Sequence, residues 1–186
     1  MVRVLILNGS PRKKGNTLYL VNELADQLKE KDNHVTILHL NDYDIKPCQG
    51  CLWCLTDYPL ECVLEDVMNG LYPDTLDADV IIFASPIYWF NYTAQLKLFI
   101  DRLIALHVKG GHALEGKKFA SIFVYGDTNP EGSGVFNAIK SIEQSVRYIG
   151  GKYLGSVYGT GGDDLVVNSN QIMLQEIKEL AKKINS

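Results

Sequence analysis

The sequence predicts an α/β fold, a three-layer sandwich in which a five-stranded parallel sheet lies between helices. Two observations carry this reading. Short apolar, often β-branched runs alternate with longer segments of helical periodicity through the 186 residues, the pattern of right-handed βαβ crossovers. Turn-forming residues then punctuate the ends of the strand-like runs, as Asn8-Gly-Ser-Pro11, Ser85-Pro86, Gly126-Asp127 and Gly159-Thr-Gly-Gly162.

The elements follow in order. Val2–Leu7 reads as a buried strand. Asn16–Lys31 places Leu18, Val21, Leu24, Ala25 and Leu28 on one helical face. His34–Leu40 alternates and is β-branched, a second strand. Glu65-Asp66 is expected to open a helix after the cysteine-containing loop, where acids favour the N-terminus. Val80–Ala84 is the third strand. Ala94–Leu106 reads as a helix with Leu96, Phe99, Ile100, Leu103 and Ile104 on its buried stripe. Phe119–Tyr125 is the fourth strand, Phe136–Tyr148 a helix, Tyr153–Tyr158 the fifth strand and Gln171–Ile184 the closing helix. A helix directly after the first strand suggests the flavodoxin-like order 2-1-3-4-5, with ligands expected beyond the carboxyl ends of the strands at the switch point.

Length and composition narrow the function. With no long Pro/Gly linker and no repeat, residues 1–186 are expected to form a single domain with a cysteine-rich loop at 45–66. Hydrophobic residues at 46% and charged residues at 22% suit a packed core. Eighteen Lys and Arg against 22 Asp and Glu give a net charge of −4, which argues against general nucleic-acid or anionic-membrane binding. No stretch is apolar enough to span a bilayer, and a cytoplasmic location is expected. The four cysteines all lie between Cys48 and Cys62, unlike the dispersed bridges of a secreted disulfide scaffold.

The first loop, Asn8-Gly-Ser-Pro-Arg-Lys-Lys-Gly-Asn-Thr17, joins strand one to helix one. Ser10, Asn16 and Thr17 supply short polar side chains near a helix N-terminus, and Arg12, Lys13 and Lys14 add positive charge. A phosphate monoester is the natural ligand. The loop lacks both the Walker A ending and the Gly-x-Gly-x-x-Gly fingerprint. The alternative is a plain βα turn leading into a capped helix. The third loop, Ser85-Pro-Ile-Tyr-Trp-Phe-Asn-Tyr92, carries more aromatic surface than a turn needs. It suits a flat heteroaromatic ring, an association surface, or both. No nucleophile elbow is present, and the histidines at 34, 39, 107 and 112 share no metal-ligand spacing, so surface or helix-end roles are expected for them.

Taken together, Gly9-Ser-Pro-Arg-x-x-Gly-Asn-Thr17, Ser85-Pro-Ile-Tyr-Trp89, Lys97 and Asp101-Arg102 make the chain resemble the NAD(P)H-dependent FMN reductases of flavodoxin-like fold along nearly its whole length. The resemblance implies FMN, its phosphate held by Ser10, Arg12, Asn16 and Thr17. It implies that Pro86, Ile87, Tyr88, Trp89 and Phe90 border the isoalloxazine, with Tyr125, Gly126 and Asp127 nearby. It also implies NAD(P)H as electron donor, a small-molecule or redox-protein acceptor, and a homodimer or homotetramer. The basic run separates the loop from the Ser/Thr-rich loop of electron-carrying flavodoxins. Lys97 and Asp101-Arg102 also fit a plain solvated helix face.

Cys48-x-x-Cys51-x-x-Cys54 followed by Cys62 resembles the compact motif of the iron–sulfur flavoproteins, a branch of the same family. Four closely spaced thiolates fit a [4Fe–4S] cluster, and zinc or free, redox-active thiols remain open. A flavin oxidoreductase leads the functional reading, since the chemistry is borne by the flavin and no acid–base dyad is needed. The alternatives are a non-catalytic FMN electron carrier and a flavin-free interaction protein.

Overall fold

The computed structural model describes residues 1–161 and 170–186; Gly162, the last residue of the glycine-containing loop after the fifth expected strand, lies outside them. The elements are β1 (Arg3–Asn8), α1 (Asn16–Lys29), β2 (His34–His39), α2 (Met68–Asp77), β3 (Val80–Tyr88), β4 (Asn91–Tyr92), α3 (Ala94–Arg102), β5 (His107–Val108), β6 (Gly111–His112), β7 (Lys118–Tyr125), α4 (Pro130–Ser133), α5 (Val135–Ile149), β8 (Lys152–Thr160) and α6 (Gln171–Asn185). Five parallel strands run in the order β2-β1-β3-β7-β8, which is the flavodoxin-like order, and β4 adds an antiparallel partner to β3.

The register sends alternate residues to opposite faces. Val4, Ile6, Val80, Ile82, Ile122 and Val124 pack with the apolar stripes of α1 and α6. Leu5, Leu7, Ile81, Phe83, Phe119 and Phe123 pack on the other side with α2, α3 and α5. Burying each such side chain contributes roughly 1.5–3 kcal/mol, so the two cores fix the register and bring the carboxyl ends of β1, β3 and β7 to one edge.

Three local expectations change. The helix expected over Ala94–Leu106 is α-helical only to Arg102, and Leu103–Leu106 tighten into a 3₁₀ turn. There the imidazoles of His107 and His112 take up the carbonyls of Ile104 and Leu103 at 2.9 and 3.0 Å, helix-end roles of the kind expected. His112 is nonetheless buried rather than superficial.

The segment after Ala84 is also more regular than a loop. β3 continues to Tyr88, and Trp89 and Phe90 form a two-residue hairpin turn before β4. Both have positive φ, 48° and 64°, the feature of the hairpin turn usually given to Asn-Gly. Such backbone costs of order 1 kcal/mol or more per bulky residue and is held from below by α5. Asn137 Nδ2 donates to the Phe90 carbonyl at 3.4 Å, and Tyr92 Oη bonds Ser141 Oγ at 3.1 Å. Gly134, at φ 82°, lies so near that a Cβ there would come within 2.4 Å of Phe90 Cα.

Finally, the acids before α2 do not sit in its first turn. Asp66 precedes the helix, accepts from Met68 N–H at 3.1 Å, and faces a second partner described below.

Candidate functional site

At the carboxyl edge of the sheet, the loop after β1, the ends of β3 and β7, and Gly126 and Gly161 just beyond β7 and β8 enclose a cleft of about 270 Å³. Of the twelve cofactor-site residues that the sequence singles out, nine line it: Ser10, Arg12, Asn16, Thr17, Pro86, Ile87, Tyr88, Tyr125 and Gly126. Trp89, Phe90 and Asp127 do not. Trp89 is 92% exposed at the hairpin tip beside Phe90. The Asp127 carboxylate accepts from the Thr128 and Asn129 N–H groups, a local turn leading into α4.

The first loop is shaped by its own polar groups. Asn8 Oδ1 accepts from Ser10 N–H at 3.1 Å, and Ser10 Oγ accepts from Arg12 N–H at 3.2 Å. His39 Nδ1 steadies the Asn8 amide at 3.1 Å. These bonds bring the chain to Gly15, which caps α1 without a side-chain hydrogen bond, and no acid occupies the first turn. Among the described residues no side chain caps the positive end of this 14-residue helix, an arrangement suited to an anion. Lys13 is paired with Asp42 at 2.9 Å, so Arg12 is the cation of the basic run that faces the cleft.

Thr93, which sequence reasoning missed, joins the first and third loops. It is buried at the N-cap of α3, but its hydroxyl donates to the Gly9 carbonyl at 2.7 Å and its N–H to Ser85 Oγ at 3.0 Å. Gly15, Val124 and Gly161 also line the cleft. A Cβ on Gly161 would meet Val124 at 2.4 Å and Asn16 Nδ2 at 2.7 Å. Burial pushes the Tyr125 phenol up, with Tyr158, Glu131 and Asp127 acting in the same direction, so it remains a neutral donor at physiological pH. An uncapped helix end, a facing arginine and an apolar strand end fit the phosphate and ring of FMN.

The second site lies at the other end of α3. Cys48, Cys51, Cys54 and Cys62 all line one small cavity, together with Arg102 and Ile104. Burial, and then Cys62, Cys51 and Cys48 nearby, push the Cys54 thiol up. Asn69 fixes the fourth cysteine: its amide accepts from Cys62 N–H at 3.0 Å and donates to the Cys62 carbonyl at 2.9 Å.

Among the described residues, no three His, Cys, Asp or Glu side chains gather closely enough to hold a metal ion. A zinc ion requires its thiolates about 2.3 Å from one point, whereas a four-iron cube takes one thiolate at each corner and accepts a wider set. The donor set, four thiols on one cavity, fits the cube.

Lys97 and Asp101 form the exposed pair of a solvated helix face, but Arg102 departs from that expectation. It is fully buried and forms a two-pronged ion pair with Asp66 at 2.6 and 3.0 Å. Burial alone would raise the Asp66 pKa, but bonds from Arg102 and from the Lys46 and Met68 N–H groups outweigh it and hold the carboxyl below the usual range. A further cavity of about 440 Å³ between α3 and α5 contains His107, His112 and Tyr148; these side chains are engaged with backbone carbonyls or with one another.

The parallel order and the cleft at its carboxyl edge define a flavodoxin-like fold. The sequence matches the NADPH-dependent FMN reductase family over residues 2–162. It is 28% identical to an iron–sulfur flavoprotein of Archaeoglobus fulgidus, covering 97% of this chain and 96% of that protein. It is 30% identical to an iron–sulfur flavoprotein of Methanosarcina thermophila, covering 98% and 93%. Among solved structures, it superposes on an NAD(P)H:quinone oxidoreductase of Methanothermobacter marburgensis with a TM-score of 0.74 at 19% identity, covering 100% of this chain and 96% of that one. An azoreductase of Bacillus anthracis gives 0.73 at 18% identity, covering 100% and 99%. The chain belongs to the NADPH-dependent FMN reductase family, in its iron–sulfur flavoprotein branch.

Proposed function

We propose that the cleft binds FMN and that the protein uses it to move electrons from NAD(P)H, or from a ferredoxin-like donor, to a quinone, a flavin or another small acceptor. The observation that carries this reading is the open N-terminus of α1 facing Arg12 in the same cleft as Pro86–Tyr88. Bound FMN supplies hydride acceptance and electron delivery. The chain binds and orients. Arg12 and the first-turn N–H groups of α1 hold the phosphate, with Ser10, Asn16 and Thr17 beside it. The Pro86–Tyr88 strand end and the Tyr125-Gly126 backbone flank the ring, and Thr93 keeps the two loops in register. Exposed Trp89 and Phe90 offer an apolar rim to an acceptor or to a second copy in a homodimer or homotetramer.

In this reading Cys48, Cys51, Cys54 and Cys62 hold a [4Fe–4S] cluster, whose chemistry when bound is single-electron transfer. The names of the iron–sulfur flavoprotein relatives and the common cavity of the four thiols support it. Anaerobic turnover tests the proposal: FMN-loaded protein should oxidise NADH or NADPH, or a reduced ferredoxin, with a quinone present. A protein that retains no FMN, or that retains it and reduces no acceptor with any of these donors, would refute it.

A further inference from the structure

The mechanism above uses neither Arg102 nor Asp66, yet they form the one fully buried ion pair among the described residues. Their position is specific. Lys46, two residues before Cys48, donates its N–H to Asp66 Oδ2 at 2.9 Å and gives its carbonyl to Arg102 Nη1 at 2.9 Å. Asp66 itself lies four residues after Cys62. The pair thus ties the two ends of the cysteine loop together and to the C-terminal end of α3, where Tyr72 Oη donates to the Arg102 carbonyl at 3.0 Å. Arg102 also lines the cavity of the four thiols, and its Nε, fully buried, finds no hydrogen-bond partner among the described residues. A buried donor left unmatched is costly, and buried charges ordinarily have all their hydrogen-bonding groups engaged.

We propose that Arg102 is the resident counter-charge of the four-cysteine site, a positioning residue that closes the loop and sets the reduction potential of the cluster bound there, with Asp66 fixing the guanidinium in place. The inference rests on the cluster reading given above. Four thiolates concentrate negative charge, and the potential of such a centre follows local charge and hydrogen bonding at its sulfurs. Arg102 keeps its charge at any working pH, so its effect on the site is constant. Asp66 contributes the opposite sign from the same place.

That opposition provides the test. Anaerobically reconstituted protein is titrated with reductant, and the cluster is followed by electron paramagnetic resonance with iron content measured in parallel. Arg102→Gln should shift the midpoint potential of the clusters it holds downward and Asp66→Asn upward, whatever the iron content of each. If Arg102→Gln does not fold, the step from Asp66→Asn to the double variant Asp66→Asn/Arg102→Gln removes the same positive charge, and it should lower the potential. A purely structural role would cause both substitutions to lose iron without opposite shifts, and unchanged potentials or shifts of the same sign overturn the inference. Wild-type protein that takes up no iron overturns the cluster reading and this inference with it. Wild-type protein with about four irons and unresponsive variants overturns only the inference.

Discussion

At the N-terminal end of α3, Thr93 joins two loops through a backbone carbonyl and a serine hydroxyl. At its C-terminal end, Arg102 joins the two ends of the cysteine loop through a buried carboxylate. The nine residues between Ala94 and Arg102 span roughly 13 Å at 1.5 Å per residue, so one short helix organises both sites. The cleft at the carboxyl edge is assembled mainly from backbone, a helix end and strand ends delivered by the sheet. The cysteine pocket lies in the long loop between β2 and α2 and is shaped largely by side chains. The first site should therefore tolerate side-chain changes with its fold intact, whereas the second should not.

The largest effect expected is from Arg102→Met, which leaves Asp66 buried and unpaired. It should cost about 3–5 kcal/mol of stability, read as a lower urea midpoint. A cost near that of an exposed pair, below about 1 kcal/mol, would break the contrast. In the cleft, Arg12→Ala should weaken FMN binding on the order of tenfold or more, as expected for one lost charge-assisted bond. Its unfolding midpoint should stay within about 0.5 kcal/mol of wild type. Unchanged affinity in a flavin titration would count against Arg12 as a phosphate ligand.

Gly134→Ala forces a side chain against Phe90 at positive φ and should cost roughly 1–3 kcal/mol, with a changed Trp89 fluorescence as the hairpin moves. Acid should act on the cysteine loop selectively. The Asp66 pKa lies below its unfolded value near 3.9, so its stabilisation is present above about pH 4 and is lost as pH falls through the folded value. The stability gap between wild type and Asp66→Asn should thus narrow below about pH 4; a constant gap contradicts the assignment. Asn69→Ala should have the smallest effect, about 1 kcal/mol, together with faster proteolysis near Cys62.

The contrast also explains what was legible in the sequence. Strand ends are marked by turn residues, so the loops at Asn8, Ser85 and Tyr125 are readable, and nine of the residues named from them line one cleft. The family resemblance places Trp89 and Phe90 at the border of the ring, in a segment after Ser85 that reads as an open loop. The two residues instead turn a hairpin, and nothing in two bulky aromatics signals left-handed backbone. Thr93 is missed because its hydroxyl serves a loop 84 residues earlier in place of its own helix end. Arg102 left a trace, since it follows Leu96 and Phe99 at three-residue steps on the apolar stripe of α3. A charge there needs a buried partner, but which of 22 acids provides it is decided by tertiary structure.

The central claim is that one chain carries two redox centres, and anaerobic purification followed by a visible spectrum with flavin and metal analysis tests it most directly. The account predicts one FMN and about four irons per chain, with flavin absorbance overlaid on a broad iron–sulfur band that Cys51→Ala removes while FMN remains. A colourless protein that retains no added FMN, or zinc in place of iron, would contradict it.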